Sequence, residues 1–261
     1  MRLFDQDSGQ RWLFCMTHPD DEIAISVWIK RLTSAGADVF MSWTHSTPER
    51  EAEARAAARI LGVHEGNLFF HQAPDGDVVN CIWDLITAFR EMMALVRPNR
   101  VVCAAFEQGH LDHDATNFVV NHSFEGPILE IPLYHTYTTR LQKINRFTSG
   151  EGEEVLELTP LEQEFKLQVA KSYPSQNIWS VLLWYEIYRA VTLRPVRLRR
   201  TERMRMQAHR SFLRPNLPDG LCERVRTSAQ WQRWIAAVGP IALELAQDRD
   251  TLVEHGQALL S

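Results

Sequence analysis

Trp12-Leu13-Phe14-Cys15-Met16-Thr17-His18-Pro19-Asp20-Asp21-Glu22 runs from an uncharged apolar stretch straight into a histidine and three acids. The apolar part is too short for a helix and suits a strand buried in a parallel sheet. Pro19 fits the first position of a helix, where its missing N–H costs nothing. Ile23, Ala24, Val27, Trp28, Ile29 and Leu32 then recur at helical spacing, which predicts a helix over 20–35 with a stop at Gly36. His18 and Asp21 stand three apart across its first turn, close enough to hold one ion. Imidazole with carboxylate suits Zn²⁺ or a similar divalent metal.

A catalytic metal needs a further ligand, and the chain offers one at Gly109-His110-Leu111-Asp112-His113-Asp114, after a second apolar run, Val101-Val102-Cys103-Ala104-Ala105-Phe106. A lone His-x-x-His is usually a surface or capping pair, and an acidic first helical turn is ordinary dipole matching. Both clusters, however, follow strand-like runs and both project from strand C-termini.

Strand-like runs at 12–17, 38–44, 67–71 and 100–106 alternate with helical patterns at 20–35, 49–61 and 78–96. This predicts an α/β fold, a Rossmann-like and mostly parallel sheet of order 3-2-1-4-5 flanked by helices. In that order the first and fourth strands are neighbours at the switch point where such sheets bind ligands, so the two histidine clusters meet in one crevice. Residues 127–135 and 153–159 read as further strands, 161–172 and 175–193 as helices. From 228 onward two helices are expected, broken at Gly239-Pro240. The expected organisation is a domain over 1–180 and a helical C-terminal extension over 181–261 packed on it.

The 45% hydrophobic and 23% charged content is that of a soluble globular chain, and the net charge of -5 argues against nucleic acid as a partner. Four scattered cysteines without a C-x-x-C pair suggest free thiols in a reducing compartment. With no signal-like N-terminus and no apolar run long enough to span a bilayer, a cytoplasmic location and no integral membrane segment are expected. Between Arg194 and Arg210 seven arginines face one acid, Glu202. They read either as a solvated basic face or as a clamp for a phosphate-bearing substrate or an anionic surface.

His-Pro-Asp-Asp-Glu after one strand and Gly-His-x-Asp-His after another resemble the PIG-L/LmbE-like family of metal-dependent N-acetylglucosaminyl deacetylases. Arg50-Glu51-Ala52-Glu53, Pro74-Asp75-Gly76 and Lys171-Ser172-Tyr173-Pro174-Ser175-Gln176 are similar to further family motifs, so the resemblance spans about residues 10–180. It implies that His18, Asp21 and His113 hold Zn²⁺, with Fe²⁺ allowed by the same ligands. It implies Asp20 as general base and His110 near the developing oxyanion or the leaving group, a cation there if protonated. Arg50 and Asp75 would contact the sugar. Asp112 or Asp114 would orient a histidine from behind the metal ligands, or cap a helix starting near Ala115.

The implied activity is hydrolysis of a linear amide, removal of the N-acetyl group from an N-acetylglucosamine-type amino sugar in a glycoconjugate or metabolite precursor. The alternatives are an amidase acting on a non-sugar amide or thiol conjugate, and a catalytically silent sugar-binding member. A homo-oligomer is left open. Two departures stand out: Gln108 occupies the position where some members carry tyrosine, and the loop His45-Ser46-Thr47-Pro48 is short. His45 and His71 are expected as polar lining of the crevice.

Overall fold

A computed structural model of the chain describes residues 2–6, 9–133, 145–177, 187–188, 190–193, 199–209 and 211–258. The first apolar run forms β1 (Arg11–Met16), and the pattern after it forms a 3-10 turn, Asp21–Ile25, leading into α1 (Ser26–Ser34). There follow β2 (Asp38–His45), α2 (Pro48–Leu61), β3 (Leu68–Ala73), α3 (Ile82–Val96), β4 (Arg100–Ala104), α4 (Leu111–Asn121) and β5 (Ile128–Ile131). β6 (Glu153–Glu157), α5 (Pro160–Ala170), β7 (Thr201–Met206), α6 (Asp219–Arg226) and α7 (Ala229–Ala258) complete the described elements.

The seven strands make one sheet of order β3-β2-β1-β4-β5-β7-β6, as the alternation predicts for its first five. β1 pairs in parallel with β2 and β4, Cys15 lying beside Ser42 on one side and Cys103 on the other. β7 runs antiparallel to both β5 and β6, and β6 is the edge strand beyond it. Alternation along β1 splits the core. Leu13 and Cys15 face α3, α4 and α7, while Trp12, Phe14 and Met16 face α1, α2 and α5.

Local chemistry sets the helix limits. Thr47 caps α2, its Oγ1 accepting from the Arg50 N–H at 3.3 Å, Pro48 takes the first position, and Gly62 ends the helix at φ 82. Thr159 and Glu162 form a reciprocal capping box on α5.

Three sequence readings are corrected. The patterned region around 201–206 forms β7 and not a basic face, because Arg203 and Arg205 are buried in ion pairs with Glu153 (2.7 Å) and with Glu130 and Glu107 (2.9 and 3.1 Å). These two arginines are therefore occupied inside the protein and belong to no phosphate clamp. Arg194, Arg197 and Arg210 lie outside the described residues, as does most of the helix expected over 175–193. The C-terminal helix continues through Gly239-Pro240 as α7, where burial of Trp231, Trp234, Val238, Ile241 and Leu245 outweighs the backbone hydrogen bond that Pro240 removes. Finally, α4 starts at Leu111 and not near Ala115, since His110 itself is the cap. Among the described residues no helix is long and apolar enough to cross a membrane.

Candidate metal centre

Adjacent β1 and β4 deliver both histidine clusters to the same end of the sheet. His18 Nδ1 and His113 Nε2 lie 3.3 Å apart, Asp21 Oδ2 is 3.4 Å from His113 Nε2, and it is 3.9 Å from His18 Nδ1. A tetrahedral ion with ligands at about 2.1 Å has an edge of about 3.4 Å, so the three atoms fit one divalent metal. All three side chains are buried. Asp21 is fixed in place because its Oδ2 accepts the N–H groups of Thr17 (3.1 Å) and His18 (2.9 Å). Burial opposes its ionisation, but the charges of His113 and His18 and the amide bond hold its carboxyl well below the usual range.

The other ring nitrogen of His18 faces two carboxylates, Asp75 Oδ1 at 3.2 Å and Asp112 Oδ2 at 3.4 Å. Burial lowers the His18 pKa, yet Asp112, Asp75 and Asp21 together push it up to about 10. Asp112, fully buried, also accepts the N–H groups of Gly76 (2.7 Å) and Val78 (3.3 Å), so it ties the Pro74-Asp75-Gly76 turn to α4 beneath His18. Asp114 instead accepts the Gln108 N–H at 3.3 Å.

Asp20 sits beside the triad in an unusual backbone state, φ 124 and ψ -21, which for a residue with a Cβ stores strain. Arg50 Nη2 donates to Pro19 O at 2.6 Å and lies 3.4 Å from Asp20 Oδ2, so a buried guanidinium holds this turn. Burial and the neighbouring Asp21 push the Asp20 carboxyl well above its ordinary value, and Arg50 pulls against them. His110 closes the group with its ring 5.3 Å from that of His18 and 5.0 Å from that of His113. Its Nδ1 accepts the Asp112 N–H at 3.3 Å, and burial beside two other histidines lowers its pKa to about 4. Burial therefore disfavours the charged form of this ring.

Asp75 keeps 60% of its side-chain surface exposed at the mouth. His45 lines the crevice, its ring 5.5 Å from His18 and its Nδ1 2.7 Å from Ala73 O. The ring of His71 packs, tilted, against Phe89 of α3, with centroids 4.6 Å apart. Gln108 is fully buried at φ 53, and its Oε1 accepts the Asn216 N–H at 3.0 Å.

Sequence reasoning missed the support of Glu22, which accepts from the Asp20 N–H (3.1 Å), Trp43 Nε1 (3.2 Å) and the Tyr173 hydroxyl. Only its place beside Asp20 and Asp21 hinted at it. The Arg-x-x-Glu and Lys-to-Gln motifs do meet, since Glu53 accepts both the N–H (2.9 Å) and the hydroxyl (2.6 Å) of Ser175.

Residues 13–124 match the PIG-L family, described as GlcNAc-PI de-N-acetylase. No curated protein matches the chain. Among solved structures it is similar to a deacetylase in the biosynthesis pathway of teicoplanin, at 17% identity and TM-score 0.55 over 75% of this chain and 97% of that one. It is likewise similar to the A40926 pseudoaglycone deacetylase Dbv21, at 18% identity and TM-score 0.53 over 78% and 100% of the two chains. The conserved protein TT1542 from Thermus thermophilus aligns at 16% identity and TM-score 0.54 over 81% and 98%. Both signature clusters, His18 to Glu22 and His110 to His113, lie inside the stretch that matches the PIG-L family, and the chain shares its fold with these deacetylases.

Proposed function

We propose that the protein is a metal-dependent N-deacetylase that hydrolyses the acetamide of an N-acetylglucosamine-type amino sugar. The observation that carries this reading is the convergence of His18 Nδ1, Asp21 Oδ2 and His113 Nε2 beside Asp20. The family match and the deacetylases that share the fold support the reaction class, and the donor set of two imidazoles and one carboxylate favours Zn²⁺, with Fe²⁺ also compatible. The four cysteines are free thiols, which supports a reducing, cytoplasmic setting.

A divalent metal in the triad would acidify a water and polarise the amide carbonyl. Asp20, held by Arg50 and the Glu22 carboxylate behind it, takes the proton of the attacking water and delivers it to the departing amine. Its raised pKa brings a carboxylate closer to the value at which both transfers run. His110, fixed through Nδ1, offers its Nε2–H to the oxygen that gains charge. Asp75, exposed at the mouth, contacts sugar hydroxyls, while Arg50 acts through Asp20 and Pro19.

Purified chain loaded with Zn²⁺ and offered N-acetylglucosaminides alongside acyclic N-acetyl amides tests this. Free amine is expected from the sugars; release from the acyclic amides alone would overturn the sugar assignment in favour of an amidase.

A further inference from the structure

The family match ends at residue 124, yet a residue of the C-terminal helix grips the site. Asp75 stands on a tight turn in which the Asp77 N–H donates to Pro74 O at 3.1 Å and Gly76 adopts φ 73. On its inner side Asp112 holds this turn through the Gly76 and Val78 amides. On its outer side Arg233 of α7 donates from Nη1 to Gly76 O at 3.0 Å and pairs through Nη2 with Asp77 Oδ1. The turn is thus clamped between α4 and α7. The side chain projecting from it, Asp75, reaches His18 Nε2 at 3.2 Å while remaining largely exposed.

α7 has its own anchorage. Trp231, Trp234 and Val238 are buried in the same cluster as Val78, Val79 and Ile82, the residues that follow the turn. Arg233 therefore works from a rigid base, and both its bonds end on the two residues after Asp75. An exposed ion pair of this kind contributes little to global stability. Its geometric effect is larger, because a carboxylate that meets substrate loses its use when displaced by an ångström.

We infer that Arg233 is a positioning residue that sets the Pro74-Asp75-Gly76-Asp77 turn, and through it the substrate contact made by Asp75. This rests on the proposed role of Asp75 in sugar binding.

The test uses the metal-loaded full chain as wild type, R233A, D75N and R233A/D75N, assayed on an N-acetylglucosaminide, with amide hydrogen exchange read in parallel. R233A is expected to raise KM about tenfold with kcat within about twofold of wild type, and to add nothing in the D75N background. The Gly76 amide is expected to exchange faster in R233A while the amides of β1 and β4 keep their protection. An unchanged KM in R233A, or effects of R233A and D75N that simply add, overturns the inference. If no N-acetyl amide is turned over by wild type, the functional reading fails instead. The exchange data then decide alone: unaltered Gly76 exchange in R233A overturns the clamp, and faster exchange supports it.

Discussion

Two adjacent aspartates, Asp20 and Asp21, are driven in opposite directions by their surroundings. Asp21 accepts two backbone amides and faces two imidazoles, which stabilises its charge; Asp20 is buried beside that charge and rises. Asp20→Asn is therefore expected to keep the metal and lose activity by about 10²–10⁴-fold, measured as metal content and turnover on the same sample. Asp21→Asn is expected to lose metal as well. A variant at Asp20 that retained full turnover would remove it from proton transfer. The strand-then-acid pattern made this division visible in sequence only through the family resemblance, since nothing in the spacing says which carboxylate faces the ion. His71 carries a separate prediction. Burial against Phe89 lowers its pKa from 6.5 to about 4, so the folded state favours the neutral ring. A depressed histidine pKa leaves its stabilisation whole above pH 6.5 and removes it as pH falls toward 4. His71→Phe should flatten that acid loss, by up to about 3 kcal/mol, in urea midpoints compared at pH 7 and pH 4.5.

Elements whose burial follows from apolar periodicity were legible; elements buried through charge were not. The runs at 12–16 and 101–106 have no polar interruption, and the structure has β1 and β4 there within a residue or two. Thr201–Met206 has the sequence TERMRM, in which Met204 and Met206 share a face with Glu202, while Arg203 and Arg205 take the other. The short apolar alternation is thus masked by charge, and its burial depends on partners far away. Glu202 shows what β7 contributes. α1 has no side-chain cap of its own, and Glu202 accepts the N–H groups of Val27 (2.9 Å) and Trp28 (2.8 Å) at its N-terminus. Lys166 of α5 balances that carboxylate at 2.9 Å, also donating to Ala24 O, so strand, two helices and the turn after Asp21 meet at one ion pair. Lys166→Met leaves Glu202 charged and buried and is expected to cost about 3 kcal/mol in chemical denaturation. Adding Glu202→Gln should recover part of that cost, whereas a loss equal to the sum of the single changes would deny the coupling.

The described residues make one sheet with two cores, and the C-terminal third of the chain contributes to both. Among the described residues β6 pairs only with β7, which also covers the edge of β5, and Glu130 of β5 balances its buried charge on Arg205 and His209. The core beneath β1 and β4 takes Phe212, Val225, Trp231, Trp234, Val238, Ile241 and Leu245 from beyond residue 180. The division at 180, drawn where the family motifs end, thus runs through shared structure, and we propose that the described chain folds as a unit. Burial of a large apolar side chain contributes about 1.5–3 kcal/mol. Loss of seven such contacts removes about 10 kcal/mol or more, as much as the whole margin of a typical domain. A chain ending at residue 180 is accordingly expected to show no cooperative urea transition and to bind no stoichiometric Zn²⁺, although it retains His18, Asp21 and His113. A sigmoidal transition with one bound metal per chain in that truncated form would show that the C-terminal elements are an accessory, and that the crevice is held by the first four strands without them.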